Sequence, residues 1–172
     1  MGQTKQEHLK DLLDSFDTAM LITRNGEKLH ARPMTIAQHE GASTLWFVAS
    51  DRSPKARELD DPRVSATLQS KARFVALSGK AKIVRDPAKI QQLWSPAWKV
   101  WFPDGKDDPS LVLIRLDVED AEFWDDAGMR GVRYAVNAVK GLIRGETPME
   151  TDDNHGRLKH TDSPVANMNM KN

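Results

Sequence analysis

The chain has 172 residues, 25 Lys+Arg against 25 Asp+Glu, 39% hydrophobic residues and no cysteine. That length suits one globular domain with a substantial core, while a formal charge of zero supplies no field toward nucleic-acid phosphates or anionic lipid, so neither nucleic acid nor membrane is expected as a partner. Disulfides, thiol nucleophiles and thiolate-held metals are excluded, and without an apolar leader core or the roughly 20-residue apolar run of a membrane helix, a soluble cytoplasmic protein is expected.

Over residues 7–16, Leu9, Leu12, Leu13 and Phe16 recur at the i, i+3, i+4, i+7 spacing of one helical face and predict an amphipathic opening helix. An apolar run at 19–23 leads to Asn25-Gly26, a pair suited to the positive φ angles of a tight hairpin, and 28–36 continues extended. The first two strands are therefore antiparallel neighbours. A polar loop at 39–43 precedes a third strand at 44–49, where aromatic and β-branched residues gather. Ser53 is then a good N-cap and Pro54 fits the first helical position, so a short helix is predicted through Leu59.

Residues 63–68 and 73–84 read as two more strands, the second bent or bulged at Gly79, which has no side chain to pack. Asp86-Pro87 repeats the cap-plus-proline signal and opens a helix through Ile90 and Leu93-Trp94; Pro96 restarts a helical stretch through Trp98 and Trp101. Strand material returns at 111–116 and again at 121–124, and Val132, Val136, Val139 and Ile143 line one face of a final helix. Sequential, hairpin-linked strands favour a mainly β fold with short flanking helices: an antiparallel barrel of about six strands, its openings covered by helices, rather than a parallel doubly wound sheet. The domain is expected to span 1–144. Residues 145–172 hold only Leu158 and Val165 from the Leu/Ile/Val/Phe set, too little to repay ordering, and are expected to form a disordered tail.

The segment with the most chemistry in it is 46–59. A strand delivers the chain to a helix start where unpaired N–H groups, the Ser53 hydroxyl and the Lys55 ammonium share a small volume, an arrangement that suits a phosphate. Arg32 on the preceding strand can reach the same anion with its planar fork if the two strands are adjacent. The same residues also serve as an ordinary helix cap with solvated cations.

In order, Arg32-Pro33-Met34, Leu45-Trp46-Phe47-Val48, Ser53-Pro54-Lys55-Ala56-Arg57-Glu58-Leu59, Asp61-Pro62-Arg63-Val64 and the run Val75 to Ala81 resemble the pyridoxamine 5'-phosphate oxidase-like superfamily of FMN-binding split barrels. Leu93-Trp94-Ser95-Pro96, the run Trp101 to Pro109 and Glu122-Phe123-Trp124 are similar to its bacterial general stress protein 26 branch. The resemblance implies a homodimer with FMN, or alternatively FAD, at the subunit interface. It places the phosphate on Arg32, Ser53 and Lys55, and the ring on main-chain groups of Pro33, Met34, Trp46, Phe47 and Val48. Backbone groups would then hold the polar ring edge while apolar neighbours pack its faces. A general stress role follows, with either flavin-dependent oxidoreductase chemistry fed by NAD(P)H or another donor, or flavin storage or sensing without turnover. The oxidase family has a second arginine where this chain has Pro54 and a glutamine where it has Phe74. Its arginine and histidine set for pyridoxal phosphate is replaced by Asp125-Asp126-Ala127-Gly128-Met129-Arg130, so vitamin B6 oxidation is not expected.

Five tryptophans beside one tyrosine form a skewed aromatic set. Trp94, Trp98 and Trp101 recur near helical spacing and read either as core or interface packing or, with Trp101 foremost, as a cover over the flavin. Of the histidines only His30 lies near the proposed site, and no pair has metal-ligand spacing. Asp104, Asp107 and Asp108 lack the spacing and terminal glutamate of an EF-hand and read as a polar loop. No metal is expected, and no side chain stands out as a general acid or base.

Overall fold

A capping box starts the first helix, α1 (Lys5–Leu13). The Thr4 hydroxyl accepts from the Glu7 N–H at 3.2 Å while the Glu7 carboxylate accepts from the Thr4 N–H at 2.8 Å. The computed structural model describes residues 3–52, 59, 61–125 and 155–159. Leu9, Leu12 and Leu13, the face expected from their spacing, are buried, and Phe16 packs on the same core from just beyond the helix. At about 1.5–3 kcal/mol for each fully buried leucine, this face is what holds α1 on the protein.

Six strands follow: β1 (Thr18–Asn25), β2 (Lys28–Glu40), β3 (Thr44–Ser50), β4 (Arg63–Gln69), β5 (Arg73–Val84) and β6 (Leu111–Asp125). They lie in the order β3-β2-β1-β4-β5-β6, all antiparallel, and β6 pairs back onto β3 from Thr44↔Asp117 to Ser50↔Leu111. The expected antiparallel barrel is thus closed, and the hairpin at Asn25-Gly26 sets Asn25 opposite Lys28. Alternation fills the interior: Ala19 and Leu21 of β1, Ala66 and Leu68 of β4, and Val75 and Leu77 of β5 share one core with the α1 leucines.

Two register shifts control which side chains face inward. Between β5 and β6, Ser78 pairs with Asp120 but Gly79 with Val118, leaving Glu119 as the extra residue. Before it, Ile114, Leu116 and Val118 face the core; after it, Ala121 and Phe123 do. The sequence pattern breaks there because the inward parity changes. The two predicted segments, 111–116 and 121–124, are therefore one continuous strand of 15 residues. Gly79 is required opposite: a Cβ there would land on the Asp117 carbonyl oxygen. The second shift lies between Ile36 and Gln38. It lets β2 run on to Glu40, through the first part of the expected polar loop.

Helix α2 (Pro87–Leu93) starts as expected, with Asp86 Oδ1 accepting from the N–H groups of Ala88 and Lys89 at 2.9 and 3.3 Å. Two 3-10 turns, Pro96–Val100 and Gly105–Asp107, follow. This segment does not cover a barrel opening. Ile90, Trp98 and Phe102 pack with Trp46, Val48, Leu111 and Leu113 into a second cluster, on the side of β3 opposite the inward-facing Phe47 and Ala49. The unbroken apolar run of β3 is explained by that double coverage, since Thr44 to Ala49 are all buried.

The expectation of a disordered tail over 145–172 is corrected at β7 (His155–Lys159), which adds to the edge of β6 from Trp124↔His155 to Asp120↔Lys159. Few apolar residues suffice because the strand joins an existing edge: Gly156 lies against the Phe123 ring with no room for a Cβ, and Leu158 packs on the core. Arg157 grips Asp120 through two nitrogens, and His155 stacks on Trp124 at 5.0 Å. The remainder of that tail, the helix predicted around Val132 to Ile143, and the residues 53–58 all lie outside the described residues.

Candidate cleft between β2 and β3

The barrel has a seam where two of its strands part. The β2–β3 ladder ends at Ile36↔Phe47. Beyond it, residues 33–35 keep register with β1, as Met20↔Pro33, Ala19↔Met34 and Thr18↔Thr35, whereas residues 48–50 keep register with β6. The Ile36 N–H donates to Asp17 O and the Asp51 N–H to Ser110 O, away from the seam on both sides. Antiparallel alternation therefore turns main-chain groups of Pro33 and Thr35, and of Val48, toward it. Proline is tolerated in mid-strand here because its missing N–H falls on that side.

A cavity of about 540 Å³ occupies the seam, within the size range of small-molecule sites, lined by Thr18, Pro33, Met34, Thr35, Val48, Ala49, Ser50, Trp101 and Phe102. Of the residues singled out in the sequence, Pro33, Met34, Val48 and Trp101 meet there. Trp101 is 58% exposed at the rim although it is among the largest apolar side chains in the chain. Its N–H, like that of Phe102, donates to Trp98 O at 2.9 Å, so the 3-10 turn presents both rings together. Among the described residues the lining carries three hydroxyls and no titratable side chain. A flat aromatic ligand with polar edges fits these walls: apolar faces above and below, with main-chain groups and hydroxyls at its border.

Other predicted residues lie elsewhere. Phe47 is fully buried with its ring in the barrel core, Trp46 points into the second cluster, and both are paired with β2 before the seam opens, so neither lines the cavity. Arg32 is half-buried opposite Leu21, with Nη2 3.4 Å from the Thr23 hydroxyl, and is not part of the cavity lining. Ser53 and Lys55 are outside the described residues. Thr18, Thr35, Ala49, Ser50 and Phe102 were not singled out. Strand alternation around Pro33 and Val48, and the adjacency of Phe102 to Trp101, are the signals that could have found them.

Trp94 and Trp98 serve packing, edge to face at 5.7 Å, with Trp98 buried. Asp108 is occupied as a turn cap, accepting from the Ser110 N–H and hydroxyl, which holds its carboxyl below the usual range. His8 pairs with Asp125 and His39 with Asp14, each fastening α1 to the barrel. His30 is half-buried opposite Thr23 on β2.

The chain matches the family model described as pyridoxamine 5'-phosphate oxidase like over residues 4–149. It is 33% identical to General stress protein 26 of Bacillus subtilis over 129 residues, which cover 72% of this chain and 90% of that protein. Among solved structures, the general stress FMN/FAD binding protein of Xanthomonas citri is 35% identical, with 72% of this chain and 89% of that chain covered and a TM-score of 0.62. General Stress Protein 26 of Bacillus anthracis superposes with a TM-score of 0.63 at 22% identity, covering 69% of this chain and 92% of its own, a likeness of fold.

Proposed function

We propose that this chain, which belongs to the pyridoxamine 5'-phosphate oxidase-like family in its general stress protein branch, binds a flavin, FMN foremost, in the seam between β2 and β3. The observation that carries this reading is the cavity itself, walled by Pro33, Met34, Val48 and the Trp101–Phe102 pair and bordered by main-chain groups. The Xanthomonas relative, by its description an FMN/FAD binding protein, supports it. Pro33 and Thr35 would border the ring from β2 and Val48 from β3. Trp101 and Phe102 would cover a face and exclude water, and Arg32, with Ser53 and Lys55, would hold the phosphate end. When bound, the flavin supplies hydride and electron transfer, while the protein orients it.

Titrating the purified full chain with FMN and following quenching of flavin fluorescence tests this reading; saturation at one flavin per chain is expected, and no quenching overturns it. An oxidoreductase fed by NAD(P)H is the first role. Storage or sensing without turnover is the second, and it is favoured by a lining that, among the described residues, holds no acid or base. Anaerobic mixing of the loaded protein with NADPH separates them: bleaching of the bound flavin means an enzyme. A cytoplasmic location belongs to the same reading, in keeping with a chain that uses no cysteine.

The partner is a second copy. Met20 and Ile22 of β1, Ser65 and Thr67 of β4, and Phe74 and Ala76 of β5 alternate with core residues and so face outward, forming an uncharged sheet face. Met20 and Phe74 are 39% and 38% exposed, and Met20 sits opposite Pro33 of the cleft, so the face runs continuously into the site. Such a surface suits a two-fold interface. Native mass spectrometry is expected to give a dimer, with Thr67→Lys reducing it to the 19.3 kDa chain and weakening FMN together with assembly. A monomeric native chain overturns this assignment.

A further inference from the structure

One wall of the cleft belongs to no strand. Trp101 and Phe102 lie in the segment between β5 and β6, which is tied at its two ends to Asp51, by Arg85 at 2.8 Å and by the Ser110 carbonyl at 2.9 Å, and rests on the barrel between them through the second apolar cluster and a polar clamp. The clamp centres on Trp46. Its indole Nε1 donates to Glu40 Oε1 at 2.8 Å, and the same oxygen accepts from Lys89 Nζ at 3.1 Å. Lys89 Nζ also stands 4.8 Å from the centroid of the Trp46 ring and 3.4 Å from Gln38 Oε1, and its side chain is only 17% exposed. Arg115 approaches the same ring at 5.6 Å, its guanidinium held by Asp117 at 2.7 Å.

The β2 register shift makes this arrangement available. Ile36, before the shift, packs on the barrel core, whereas Gln38, just after it, pairs with Trp46 and reaches outward to Lys89. Lys89 directly precedes Ile90, the α2 residue buried beside Trp98 and Phe102. A cation fixed on the Trp46 face therefore sets where α2 lies, and the packing of Ile90 on Trp98 and Phe102 passes that position to the cleft wall.

Resting on the flavin reading above, we infer that Lys89, clamped by Glu40 against Trp46, is a positioning residue that sets the Trp101–Phe102 wall of the cleft. The bonds from Trp46 and then Lys89 hold the Glu40 carboxyl below its ordinary range.

Lys89→Met, which keeps an apolar stem and removes the charge, tests this on the full chain by hydrogen–deuterium exchange and FMN titration. Exchange over residues 96–102 is expected to rise about 5- to 30-fold with strand exchange unchanged. FMN affinity should fall about fivefold or more, and Lys89→Arg should recover both. Unaltered exchange at 96–102, a uniform rise in every segment, or faster local exchange with full FMN affinity each overturns the assignment. If the native chain itself fails to bind FMN, the flavin reading falls, and exchange at 96–102 in Lys89→Met still decides whether the clamp positions the wall.

Discussion

Alanine at Arg32 is expected to weaken FMN binding about 10- to 100-fold, the worth of one charge-assisted contact at about 1.5–3 kcal/mol, while riboflavin, which has no phosphate, binds nearly as before. Arg32 directly precedes Pro33 on β2, and its guanidinium lies beside the Thr23 hydroxyl, outside the cavity lining. Lys55→Ala is expected to follow the same pattern. Parallel fluorescence titrations with the two ligands measure the difference. Equal losses for both would move the phosphate away from Arg32 and leave the ring site standing.

Gly79→Ala is expected to destabilise the protein by about 3 kcal/mol or more, because the new methyl would meet backbone rather than a side chain that can turn aside. Asp117 and Val118 cannot retreat without breaking register, since Asp117 pairs with Lys80 on one edge of β6 and with Thr44 on the other. For a chain of this size the loss corresponds to a fall in Tm of about 6–12 °C. Urea denaturation followed by tryptophan fluorescence measures it, with exposed Ser78→Ala as a control that should change stability by less than about 0.5 kcal/mol. A near-neutral Gly79→Ala would mean that the bulge opposite it is not fixed.

Local signals in the chain are strong wherever one residue type can meet a backbone demand. Asp86 with Pro87 and Asn25-Gly26 each mark an element end through hydrogen bonds or φ angles made within a few residues, and the Thr4–Glu7 box does the same for α1, which starts at Lys5 and ends at Leu13 rather than spanning 7–16. Alternation is likewise plain in β4 and β5, where Val64, Ala66 and Leu68, and Val75, Leu77 and Ala81, are buried. It failed at residues 117–120 because an unpaired residue reverses inward parity, and whether a strand ends or bulges there depends on the partner strand. His155–Lys159 was illegible for a related reason: its order comes from the edge of β6, distant in sequence, and from a Phe123 ring that only a glycine can cover.

By themselves, the residues determined a β-rich chain opened by an amphipathic helix, and of the nine residues that the family resemblance implied for a flavin, Pro33, Met34, Val48 and Trp101 line one cavity. These properties follow from side-chain spacing, turn chemistry and an ordered set of short motifs. Tertiary structure alone decided that β2 and β3 part after Ile36↔Phe47, that the Trp46 and Phe47 rings pack in the second cluster and the barrel core, and that Glu40 clamps Lys89 against Trp46. Each depends on which strand lies beside which and where a ladder gains a residue, and those are long-range choices settled by the packing of the whole barrel.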